Sequence, residues 1–87
     1  MRNLILITFE GCPLAGKSRD MLSEIGVKFM DVEQDNLPIN DPHRFYSSPT
    51  LLEGERIIFG SRLDSGARAC TLILPTLAQL KKMLLDE

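Results

Sequence analysis

A chain of 87 residues holds one domain and one core, because a domain of this size buries only about 60% of the surface its unfolded form exposes. With 44% hydrophobic and 25% charged residues, the composition excludes a disordered or collagen-like chain, and the length excludes a large multilayer enzyme. Ten basic side chains against twelve acidic ones leave a formal charge of −2, and with no basic stripe nucleic acid is not an expected partner.

The first nine residues carry one arginine and a short apolar run that Glu10 interrupts, so no signal-peptide core is expected. No stretch approaches the roughly 20 apolar residues of a membrane span. Two cysteines are too few for a disulfide scaffold, which favours reactive over structural cysteine. A cytoplasmic monomer with no membrane attachment is expected, residues 1–87 forming one unit.

In chain order, Asn3 to Phe9 is a near-continuous apolar run with β-branched members, which predicts a central parallel strand buried on both faces. Leu14, Met21, Leu22 and Ile25 share one helical face, Ser18 being its polar exception. Gly26 supplies a stop, so a helix over Pro13 to Ile25 is expected. Val27 to Val32 reads as a second strand, completing a parallel crossover. From Asp35 to Ser48, Pro38 and Pro42 leave room only for one or two helical turns near Asp41 to Tyr46. Thr50–Leu52 and Ile57–Phe59 flank a turn with Gly54, the pattern of a hairpin. Gly60 to Gly66 reads as a polar loop. Leu74, Leu77, Leu80 and Leu84 then recur at helical spacing, with Pro75 suited to the first turn, and this leucine stripe is expected to be core.

Glu10-Gly11-Cys12-Pro13 stands where the first strand hands over to the first helix. A thiol at or just before a helix N-terminus meets unpaired amides and the positive end of the dipole, which favour thiolate over thiol. Cys12 is therefore the candidate nucleophile, the alternative being a small buried hydrophobe. Ser48-Pro49-Thr50, entering the hairpin, is the second candidate element.

Two further patterns compete. Gly11 to Ser18 (GCPLAGKS) satisfies G-x-x-x-x-G-K-[ST], which would place phosphates over the loop, with Lys17 and Ser18 on phosphate and magnesium. The short chain, the antiparallel hairpin and a proline that removes an amide from the cradle all argue against it. Asp31, Glu33 and Asp35 lack the glycine and glutamate of a calcium loop and read as a solvated acidic edge. His43, the one histidine, has no partner for a zinc site and is expected on a loop surface.

The strand ending in Cys-Pro, the β-α-β / β-β-α order and the Ser-Pro-Thr before the hairpin resemble the thioredoxin superfamily, especially its small glutaredoxin-like members. The likeness spans nearly the whole chain and implies an α/β thioredoxin-like fold, a mixed four-stranded sheet flanked by helices. It also implies that Pro49 is cis and faces Cys12. Pro13, Ser48, Pro49 and Thr50 would then border the substrate, with the backbone of Ser48 receiving an extended thiol. The implied activity is thiol–disulfide exchange with a protein or low-molecular-weight thiol or disulfide. No resident cofactor is needed, and glutathione is a candidate co-substrate. Ala15 replaces the second cysteine of the dithiol pattern and Leu14 the usual aromatic. Cys70 is left either as a distant resolving thiol or as packing under the last helix. A thioredoxin-fold binding protein without redox turnover is the alternative function. Lys17 and Arg19 are candidate sources of positive potential near the first helix.

Overall fold

The computed structural model describes residues 3–63, 69–70 and 73–85. Strands β1 (Leu4–Thr8), β2 (Met30–Glu33), β3 (Thr50–Glu53) and β4 (Arg56–Phe59) form one mixed sheet in the order β2-β1-β3-β4. Helix α1 (Ala15–Ile25) joins β1 to β2, and α2 (Leu77–Leu85) follows the hairpin. The chain is thus α/β, with β1 parallel to β2 and antiparallel to β3.

Leu6 pairs with Leu51, and Leu51 with Phe59, so these three share one sheet face. They join Leu4, Met21 and Leu22 of α1, and Leu80 and Leu84 of α2, in one core cluster. Both helices therefore close over the same face. Each fully buried leucine contributes about 1.5–3 kcal/mol relative to exposure, which explains why the leucine stripe of α2 faces inward. On the opposite face Ile7 and Leu52 are also buried, while Met30 and Ile57, nearer the sheet edges, are exposed.

Several boundaries differ from those the sequence suggests. Helix α1 begins at Ala15, not Pro13, because Gly11 at φ +86° and the Cys12 amide bonded to the Phe9 carbonyl (3.3 Å) first make a turn. It ends as expected at Gly26, whose φ of +89° lets its amide reach the Leu22 carbonyl. Strand β2 begins at Met30, since its first ladder partner is Ile5 and residues 27–29 lie before the paired region. Val27 and Phe29 pack instead against the core.

Helix α2 is capped by Thr76, with Pro75 standing one residue before it. The Thr76 hydroxyl accepts from the Gln79 amide (3.1 Å) and the Gln79 side chain accepts from the Thr76 amide (2.9 Å), a reciprocal capping box.

The link from β2 to β3 holds two short 3-10 turns, Gln34–Asn36 and Pro42–Phe45. Its end pairs with the expected polar loop: the Ser47 amide donates to Ser61 (2.8 Å) and the Leu63 amide to Phe45 (2.7 Å), so the hairpin ladder continues past Pro49. Residues 64–66 of that loop lie outside the described residues. His43 is half-buried in the second turn, its ring 6.4 Å from that of Tyr46.

Candidate functional site

The C-terminal end of β1, the turn before α1 and the segment entering β3 converge on Ser48. This residue is fully buried. Its hydroxyl accepts the Phe9 amide (3.1 Å), fastening the link to the end of β1. Its carbonyl accepts the Cys12 thiol at 3.4 Å, and the following peptide to Pro49 is cis. The structure thus brings Cys12, Ser48 and Pro49 together from positions 36 residues apart.

Cys12 is 8% exposed and its carbonyl accepts the Ala15 amide (3.2 Å), so it precedes the helix by one turn rather than capping it. Pro13 is exposed beside it, whereas Pro49 and Thr50 are buried. The Thr50 hydroxyl is committed to the Ser47 carbonyl (2.6 Å). With its single proton spent there, Thr50 Oγ1 accepts from the Ser47 hydroxyl (3.0 Å). Ser47 Oγ in turn accepts the Ser61 amide (3.0 Å), a chain of bonds that fixes the segment around Pro49.

Cys70 does not pack beneath α2. It is exposed and stands opposite Ser48 in a parallel bridge, the Ser48 amide donating to the Ala69 carbonyl at 2.9 Å. Cys70 also borders a cavity of about 390 Å³ with Ser47, Gly60, Ser61, Leu63 and Ile73. Both cysteines are free thiols, and both adjoin the same residue.

Of the two cationic candidates, Lys17 is exposed. Arg19 bonds Asp31 on β2 through Nε (2.5 Å) and Thr8 on β1 through Nη2 (3.1 Å). The hydrogen bond that Arg19 donates to Asp31 is the main cause that holds its guanidinium above its ordinary range; partial burial opposes it, and the charges of Asp31 and Glu33 add to it. Arg19 is therefore a cation committed to Asp31 and Thr8 at the sheet.

The phosphate-loop pattern does not make a cradle. The amides of Cys12, Ala15 and Ser18 are bonded to Phe9, Cys12 and Leu14, and the buried Ser18 hydroxyl donates to Leu14 (3.0 Å). Asp31 is taken by Arg19, while Glu33 and Asp35 meet Glu10, their carboxylate oxygens within 4.8 Å of one another. This grouping is held by the Glu10 amide donating to Asp35 (3.1 Å).

Nothing in the residue pattern marks Gln34 as a positioning residue. Buried at the end of β2, its side-chain amide donates to the carbonyls of His43 (2.9 Å) and Tyr46 (2.7 Å). Arg44 returns a bond to the Gln34 carbonyl (2.7 Å), so the link leading to Ser48 is tied at both ends. Gln34→Ala leaves two inward carbonyls unpaired and should destabilise the chain by about 2–4 kcal/mol. Urea denaturation checks this; an unchanged midpoint would mean that water replaces the amide.

A scan against protein-family models finds no match, and searches of curated proteins and of solved structures find no significant match.

Proposed function

We propose that this chain is a thioredoxin-like protein of the small glutaredoxin-like kind, acting as a thiol–disulfide oxidoreductase or redox carrier through Cys12. The observation that carries this reading is the Cys12 thiol resting on the Ser48 carbonyl beside cis-Pro49, at the end of the central strand and ahead of α1.

In the reaction, the Cys12 thiolate attacks one sulfur of a disulfide. The other sulfur leaves as a thiolate and takes a proton from water, and Cys12 is left in a mixed disulfide. A second thiolate then attacks the Cys12 sulfur. It comes either from Cys70, giving an intramolecular disulfide that two external thiols then reduce, or from an external thiol such as glutathione, giving a Cys12–glutathione disulfide. A second glutathione attacks the glutathione sulfur of that disulfide, so that the Cys12 thiolate returns and glutathione disulfide leaves. The substrate is released as a thiol in either case.

A second reading, a binding protein of the same fold without turnover, is favoured by the burial of Cys12 and by the engagement of the Ser48 amide with Ala69. Incubation of the reduced protein with hydroxyethyl disulfide, then mass spectrometry of its peptides, separates the two. The oxidoreductase reading expects the adduct, or the disulfide derived from it, at Cys12. Two cysteines that both stay unmodified would leave the binding reading, and an adduct confined to Cys70 would overturn the assignment of Cys12 as nucleophile.

A further inference from the structure

In extended backbone the N–H and C=O of one residue point to the same side of the strand. At Ser48 the carbonyl on that side accepts the Cys12 thiol and the amide donates to the Ala69 carbonyl. The edge at which an extended partner would pair is thus filled by the chain's own residues, with Cys70 opposite Ser48 as a partner's cysteine would be. We infer that residues 69–70 are a built-in occupant of the site: they cap Cys12, and an incoming extended segment must displace them before its main chain can pair with Ser48.

This rests on the reading of Cys12 as the reactive thiol but adds a regulatory step to it. Three features agree with a displaceable cap. Cys12 is 8% exposed although it lies in a turn whose neighbours Gly11 and Pro13 are exposed. Ala69 meets Ser48 by a main-chain bond, which an incoming backbone can replace one for one. Cys70 is exposed, so its side chain adds little burial to hold the cap down.

The test needs no disulfide turnover, so failure of the oxidoreductase reading leaves it interpretable. Cys70→Ser keeps the cap and makes Cys12 the sole thiol. Ala69→Gly with Cys70→Gly keeps the same sole thiol and loosens the pairing, since each glycine disfavours extended structure by a factor of about three to five. Iodoacetamide alkylation of Cys12 and hydrogen exchange of the Ser48 amide are read on both. Because each proceeds through the uncapped state, both rates are expected to rise about tenfold in the double-glycine variant. The amides of Leu6 and Leu51 report the core; if they accelerate as well, Ala69→Gly with Cys70→Ser replaces that variant, with about a threefold rise expected. An unchanged Cys12 alkylation rate overturns the inference, whether or not the Ser48 amide exchanges faster.

Discussion

Gly60→Ala is expected to remove about half of the stability of this fold. Gly60 follows β4 with φ +99°, and a β-carbon there would lie 2.2 Å from Thr50 Oγ1 and 2.7 Å from Thr50 Cα. Neither neighbour can yield cheaply. The Thr50 hydroxyl is bonded to the Ser47 carbonyl, and its α-carbon belongs to β3, fully buried behind Pro49. Overpacking of this kind costs about 1–3 kcal/mol or more, and a side chain at such a φ adds about 1–3 kcal/mol. A domain of this size has a total of roughly 4–13 kcal/mol to lose.

Gly54→Ala is the matched control. Gly54 also has positive φ (+62°), but a β-carbon there meets nothing within 4 Å, so only the backbone penalty of about 1–2 kcal/mol is expected. Urea denaturation monitored by far-ultraviolet circular dichroism compares the two variants. Equal midpoints would show that the approach of β4 to Thr50 is looser than the geometry requires.

The same contact shows which parts of this fold are legible in sequence. The apolar run of β1 and the hairpin signal at Gly54 are local, and all three strands form where that pattern places them. The T-x-x-Q box at Thr76 is equally local, yet the proline beside it is the louder signal and moves the expected start of α2. The start of α1 is harder to read because proline is compatible with a first helical turn, and nothing in the residue types says that Gly11 and Cys12 first close a turn of their own. Gly60 reads only as the opening of a polar loop; its role depends on Thr50, which the fold alone brings against it.

For the site, a strand ending in Cys-Pro and a proline before a hairpin are visible, but their meeting at Ser48 is tertiary. The pairing of Ala69 with Ser48 is further from reach, because main-chain hydrogen bonds leave no mark on side-chain identity. Gln34 is a similar case. A polar residue at the end of an acidic strand looks solvated until its two carbonyl partners are known.

The division of labour between the two cysteines is the second large effect expected. Cys12→Ser should abolish reduction of hydroxyethyl disulfide, a loss on the order of a thousandfold or more, because an alcohol cannot supply the anionic nucleophile that the thiolate provides. Cys70→Ser should leave the first step intact and change the fate of the mixed disulfide. In the wild type, Cys70 stands opposite Ser48, whose carbonyl holds Cys12, so the mixed disulfide is expected to collapse to a Cys12–Cys70 disulfide with release of mercaptoethanol. Without Cys70 the adduct should accumulate at Cys12 and clear only when glutathione is added. Rapid acid quenching and intact-mass measurement distinguish these states, since the adduct is heavier and the intramolecular disulfide lighter than the reduced chain. If the adduct persists equally in both proteins, Cys70 is no resolving thiol and its place beside Ser48 serves pairing alone. If Cys12→Ser retains turnover while Cys70→Ser loses it, the nucleophile is Cys70, and the thiol resting on the Ser48 carbonyl is a packing group.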